Sequence, residues 1–317
     1  MIIDGTELVE LPTSGPAWEA LLAVADEEWE EPDLANQDHD TAARVLAAAL
    51  VHARTGEPTY ADKVVGALEQ VSTAPLEDAT VLSVGRQLAG YVIAADLVGY
   101  RDPAFVRFVD QARTRNIGDH GRWFSLTQTS ENTASNWGAW ALASRIAASL
   151  YVGDETDLAK SAEIFRGFTG DRRAYDGFQH TDDFDPSWVC GDLSQWVPVN
   201  PASCEERSGA LAEDISRSSG SYPEVDRSGL TYSWETLGGA ALSARLLAHA
   251  SYPDVYEWGD DALLRAAEFL QREGGYPPFY AANAYIPWSI NRAYGADLGP
   301  VKPAGHGRQF GFTDWLP

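Results

Sequence analysis

The run Trp137-Gly-Ala-Trp140-Ala-Leu-Ala-Ser-Arg-Ile-Ala-Ala-Ser-Leu-Tyr-Val152, then Gly153-Asp-Glu-Thr156, then Asp157-Leu-Ala-Lys-Ser-Ala-Glu-Ile-Phe-Arg-Gly-Phe168, decides the fold. Both long halves have helical length and periodicity, and the break between them is a tight, acidic turn opened by glycine. The same pattern recurs along the chain. Ala43 to Thr55 runs through Gly56-Glu-Pro58 into Tyr60 to Val71, and Val81 to Val98 runs through Gly99-Tyr-Arg-Asp-Pro103 into Ala104 to Thr114. Leu237 to Ala250 runs through Ser251-Tyr-Pro-Asp254 into Trp258 to Arg272. The turns recur at roughly 45 to 55 residues, or twice that, which is the period of stacked helical hairpins. Strand-like alternation is nearly absent. The expectation is an all-α chain, residues 1–317 as one domain, with hairpins arranged in a ring or arc whose inner helices line a cleft. A HEAT-like solenoid is the alternative, but its loops would be short throughout, whereas Asp171 to Gly229 is long, aromatic and acidic.

Two segments carry chemistry. In Glu224-Val-Asp-Arg227-Ser-Gly-Leu-Thr-Tyr232-Ser-Trp-Glu235-Thr-Leu237 an arginine and a tyrosine stand where a long apolar helix begins. This reading puts Tyr232 in the first turn and Arg227 just outside it. A phenol has a reference pKa of roughly 10, and a nearby guanidinium or a helix N-terminus favours its ionised form. The pair therefore suits proton abstraction; a core tyrosine beside a solvated arginine is the plainer alternative. In Ser130-Glu-Asn132-Thr-Ala-Ser-Asn136-Trp137-Gly-Ala-Trp140, Ser130 or Asn132 caps a helix whose entrance carries amides and indoles. Asn132 serves there either as an N-cap or as a donor to a substrate carboxylate. Exposed aromatic planes with polar neighbours suit a sugar-binding cleft.

Together the two segments resemble the alginate lyase superfamily of polysaccharide lyases. Its members carry an Asn-Asn-His-(x)-(x)-Trp element and a later Arg-(x)-(x)-(x)-(x)-Tyr-(x)-(x)-(x)-(x)-Leu element. Arg227, Tyr232 and Leu237 fall in register with the second. With Trp137 on the family tryptophan, Asn132 matches the first asparagine, while Thr133 and Ala134 replace the second asparagine and the histidine. The resemblance implies an incomplete (α/α) toroid that cleaves a uronic acid polymer, such as alginate or glucuronan, by β-elimination. Such a site must neutralise the C6 carboxylate and supply a base and an acid. Tyr232 is the candidate acid, Arg227 its activating cation, and Asn132 with Asn136 the donors to the carboxylate. His180, in the long loop, is the candidate substitute for the absent histidine, with His120 and His306 as alternatives.

Further sugar contacts are expected from Trp137, Trp140 and Glu235, and from Arg86 and Tyr91 on one long helix. Trp288, Asn291 and Arg292 form another group, in Tyr285-Ile-Pro-Trp288-Ser-Ile-Asn291-Arg292. For Arg86 and Tyr91 a surface arginine with a core tyrosine is the alternative. The terminal Gly305-His-Gly-Arg308-Gln-Phe-Gly-Phe-Thr-Asp314-Trp315 is too aromatic for a loose tail and is expected to dock. Helical toroids also host glycoside hydrolases with paired carboxylates, and Asp182, Asp183, Asp185, Glu224, Asp226 and Glu235 are the acids available for such a pair. A non-catalytic carbohydrate-binding protein is the third reading.

Composition narrows the partners. The 317 residues are 44% hydrophobic, enough for a sizeable core, and a net charge of −24 from 47 acidic and 23 basic residues argues against nucleic acid and anionic membranes. An anionic polysaccharide would also be repelled at long range, so its capture calls for local arginines and for screening, the Debye length being roughly 8 Å at physiological salt. Lysine occurs only as Lys63, Lys160 and Lys302, so the basic residues are mostly arginine, the side chain suited to bidentate carboxylate contacts. Cys190 and Cys204 lie in one irregular stretch and would close a loop of roughly 15 residues, worth about 3 kcal/mol in the chain-entropy model. Two free thiols are the alternative. No paired Cys/His spacing accompanies them, so neither a metal nor a cofactor is expected. Met1-Ile-Ile-Asp-Gly-Thr-Glu7 lacks the pattern of a signal peptide and no run approaches a membrane span. The resemblance nonetheless implies a secreted or extracellular setting, alone or within a larger assembly.

Overall fold

The computed structural model describes residues 1–117, 125–274, 283–299 and 301–316. Thirteen α-helices are found among them: α1 Gly5–Glu10, α2 Pro16–Asp26, α3 Thr41–Thr55, α4 Pro58–Ser72, α5 Val81–Leu97, α6 Pro103–Thr114, α7 Leu126–Asn132, α8 Asn136–Val152, α9 Glu155–Thr169, α10 Ala212–Ser216, α11 Arg227–Ala250, α12 Trp258–Gly274 and α13 Tyr285–Tyr294. No strand occurs among the described residues beyond an isolated bridge between Val199 and Leu211. The chain is all-α, as the periodicity predicts, and every predicted hairpin is present.

The most extensive helix contacts run in the order α3, α5, α8, α11. These helices are buried on nearly all sides: α5 is buried from Val81 to Ala95 and α11 from Ser233 to Leu247. That is why their sequences are apolar and rich in small residues rather than amphipathic. They run in the same direction. A Cβ on Gly85 of α5 would lie 3.1 Å from the Ala141 nitrogen of α8, and one turn later the Ala89 N–H donates to Ser144 Oγ at 3.0 Å. On the other side of α8, a Cβ on Gly239 would stand 2.8 Å from the Ala139 carbonyl carbon, so glycine is what lets α11 approach backbone to backbone.

The outer helices are amphipathic and cover this row. α2 and α4 pack on α3, α6 packs on α4 and α8, α9 on α8, and α12 on α9 and α11. On α12 the buried positions Ala262, Leu263, Ala266, Ala267, Phe269 and Leu270 follow the helical repeat. Arg145 ties the layers together: it donates to Asp157 of α9 and to Ser130 and Glu131 of α7. Burial pushes the Asp157 carboxyl up, but hydrogen bonds from Arg145 and Ser149 with the Arg145 and Arg113 charges outweigh it and hold the group below the usual carboxylate range. The buried side chains form one continuous cluster from Ile2 to Leu316. As expected, the C-terminal segment docks: Trp315 is buried against Trp18 and its indole N–H donates to the Pro12 carbonyl at 2.8 Å.

Between α9 and α11 the long loop holds three short 3-10 turns and α10. Cys190 and Cys204 are disulfide-bonded within it, their Cα atoms 5.6 Å apart, and neither cysteine is free. Arg207 donates to the carbonyls of Ser187 and Val189, and the Asn200 amide to that of Trp188. The loop is thus ordered by side chains. Among the described residues no helix is long and apolar enough to cross a membrane.

The close approach of α11 to α8 gives a stability test. Gly239→Ala should cost about 1–3 kcal/mol through forced separation of the helices. Gly66→Ala, in α4 with nothing within 4 Å of the added methyl, should instead stabilise by roughly 0.5–1 kcal/mol. Urea denaturation of the two variants checks both signs.

Candidate functional site

The sequence-predicted residues gather mainly where α8 and α11 meet the long loop. Asp214, on the one-turn helix α10, has no exposed surface. Its Oδ2 accepts the Asn136 N–H at the first residue of α8, at 2.8 Å, and also the Thr236 hydroxyl of α11. Its Oδ1 accepts Arg217 Nη1 at 3.2 Å, and the same Nη1 reaches Asn136 Oδ1 at 3.4 Å. A carboxylate at a helix N-terminus satisfies N–H groups that have no partner within the helix. Burial raises the Asp214 pKa to about 6 against the lowering effect of Arg217, Thr236 and Asn136. Glu213 is raised further, to about 7, by burial and then by the Asp214 charge, with the Thr181 N–H donating to it at 3.1 Å. With fewer donors, Glu213 is the member of the pair that holds a proton near neutrality.

Arg217 is the arginine that meets the tyrosine. Its guanidinium carbon lies 4.9 Å from the centre of the Tyr232 ring, and its side chain is 25% exposed. The tyrosine is half-buried. Arg227 is not outside the helix as the sequence suggests; it is the first residue of α11, exposed, after the N-cap Asp226, which places Tyr232 in the second turn. The sequence reading passed over Glu213-Asp-Ile-Ser-Arg217. Its signal was an acid-to-arginine spacing of one helical turn inside an otherwise irregular loop.

The segments that carry Asn132 and His180 are joined to each other and to Glu213. Asn132 ends α7 rather than capping α8; its amide donates to the Gln128 carbonyl at 2.8 Å, and the N-caps of α7 and α8 are Ser125 and Ser135. The Asn132 carbonyl accepts the Gln179 N–H at 2.8 Å, while Thr181 is held by Glu213. His180, between these two anchors, is exposed and its ring stacks on Phe184 at 4.9 Å. Trp137 is half-buried beside the core. Trp140 is fully buried, so it is a packing residue and not an exposed sugar platform.

The remaining predicted residues lie elsewhere. Arg86 and Glu235 form a buried ion pair at 2.9 Å, with Asn283 donating to Glu235 at 3.3 Å and Asp38 3.6 Å from Arg86. Arg86 is therefore not a surface arginine, and Glu235 is neutralised by the protein itself. Tyr91 is fully buried, and burial pushes its phenol far up, so it is a core residue. Trp288 donates to the Lys302 carbonyl at 2.6 Å, Asn291 brackets Leu298 with both ends of its amide, and Arg292 donates to the Leu316 carbonyl. These three hold the C-terminal segment in place. His306 is 4.0 Å from Asp40, and His120 lies outside the described residues. Among the described residues no group of three or more His, Cys, Asp or Glu could hold a metal ion. Compared with known proteins, the chain matches no family model and no curated sequence.

The raised Glu213 pKa has a signed consequence for stability. Its protonated form is favoured by folding, so the contribution is full below the unfolded value of 4.5 and is lost as pH rises through about 7. The loss should be on the order of 2–3 kcal/mol. Urea denaturation from pH 4.5 to 8 should show Glu213→Gln gaining on the parent chain as pH rises; parallel curves would remove Glu213 as the titrating group.

Proposed function

We propose that this protein is a polysaccharide lyase that cleaves a uronic-acid-containing polymer by β-elimination at the rim formed by α8, α10 and α11. The observation that carries this reading is Arg217 held over Tyr232 by Asp214 and Asn136. Four parallel inner helices backed by amphipathic outer ones support reading the fold as an incomplete (α/α) toroid. The disulfide fits an oxidising, extracellular setting.

In the proposed reaction a base removes the C5 proton, the C4–C5 double bond forms, the bond to the 4-oxygen breaks and that oxygen is protonated. Arg217, cationic and partly exposed in a strongly acidic protein, is suited to the uronate carboxylate. Its guanidinium carbon also lies 4.9 Å from the centre of the Tyr232 ring, so one cation can face both the substrate and the tyrosine. Tyr232 protonates the leaving oxygen, and His180 on the exposed loop removes the C5 proton. Asn132 and Asn136 order this rim, since the hydrogen bonds of both are directed to neighbouring protein groups.

The hydrolase reading is less well supported. Asp185 caps a 3-10 turn, Asp226 caps α11, Glu235 is paired with Arg86, and Glu213 and Asp214 are adjacent buried residues, which is not the arrangement of two acids flanking a bond at roughly 5–9.5 Å.

The assay is ultraviolet absorbance of the unsaturated product on a panel of polyuronates. Tyr232→Phe should lower turnover by roughly 100- to 10,000-fold with the fold intact. Arg217→Lys, which keeps the charge and loses the fork, should lower kcat/KM by about tenfold or more, a loss of about 1.4 kcal/mol in transition-state binding. His180→Ala should remove most activity, and near-normal turnover would leave Tyr232 as both base and acid. Reducing ends without unsaturated product would indicate hydrolysis, and binding without turnover a carbohydrate-binding protein.

A further inference from the structure

At the far end of α11 from Tyr232, a cavity of about 170 Å³ is lined by Arg245, His249, Arg292, Glu7, Tyr256 and Ser289 among others. Three of these side chains are basic and one is acidic, in a chain whose acidic residues number 47 against 23 lysines and arginines. That inversion is local and specific. Arg245 is buried on the inner helix, its Nε donating to the Ile2 carbonyl at 3.0 Å, whereas His249 and Arg292 are exposed. Arg292 is anchored through the Leu316 carbonyl, so its guanidinium is fixed beside the cavity. The one acid, Glu7, already accepts the Asp4 N–H at 3.3 Å in the capping box of α1. Burial lowers the pKa of Arg245 against the raising effect of Tyr256 and Glu7, and the like charge of Arg292 adds to the lowering. An anion between the two arginines would offset that repulsion. At ~30 Å³ per water the volume holds about six waters, enough for a small oxyanion with part of its hydration.

We propose that this cavity is a binding site for a small oxyanion, recognised through carboxylate or phosphate oxygens by Arg245, Arg292 and His249. The site is separate from the rim and does not depend on the lyase reading.

The test uses the full chain at constant ionic strength, titrated with sodium phosphate in one arm and sodium glucuronate in the other. Calorimetry gives affinity, and the His249 imidazole resonances, assigned through His249→Gln, give location. Saturable binding in at least one arm is expected, with movement of the His249 signals. Binding should be about tenfold weaker in Arg292→Gln and unchanged in Lys160→Gln, a change on the exposed face of α9. Saturation in one arm alone identifies the source of the oxyanion, and in both the shared chemistry. The proposal is overturned if neither anion saturates, if Arg292→Gln binds as tightly as the parent, or if other histidine signals move and those of His249 do not.

Discussion

A single buried carboxylate sets the geometry of the candidate site. Asp214 accepts from the first N–H of α8, from a hydroxyl of α11 and from Arg217, and so fixes two inner helices and the loop relative to one another. Without these donors a fully buried carboxylate would be untenable. With them it positions Arg217 over the tyrosine, and the neighbouring Glu213 adds the fastening for the loop that carries His180. The close backbone packing of α5, α8 and α11 is what brings these donors within reach of one side chain.

The sequence made the helical hairpins readable because each carries its own local signals. Apolar periodicity marks the helix bodies, and Gly56, Gly99 and Gly153 or a proline marks the turns. The site was legible only in outline. Tyr232 and Asn136 both meet Arg217, and the segment carrying His180 is tied to Asn132 through Gln179 and to Glu213 through Thr181, but the arginine at the tyrosine is Arg217 and not Arg227, because partnership there is set by the path of an irregular loop and not by helical spacing. Trp140, Tyr91 and Arg86 were misjudged for a related reason. A helix buried on all sides has no polar face to show which positions meet solvent, so aromatic and charged residues on it look equally available.

Charge is distributed in depth as well as along the chain. Arg86, Arg113, Arg145 and Arg245 are buried, and the first three pair with carboxylates from other elements. Among the described residues these four buried cations stand against three buried acids, Glu213, Asp214 and Glu235, so nearly all of the formal −24 is carried at the surface. An exposed cationic group such as Arg217 then acts at contact range, within a field that disfavours polyanions at a distance. Selectivity under such conditions favours short-range geometry over long-range steering.

The long loop between α9 and α11 is held by a disulfide and by side-chain bonds to its own carbonyls, with little regular secondary structure. Its Trp188, Val199, Leu211 and Ile215 nevertheless belong to the same buried cluster as the helices, so the loop is part of the core and not an appendage to it. Reducing the disulfide would therefore be felt in the packing of the helical row as well as in the loop itself.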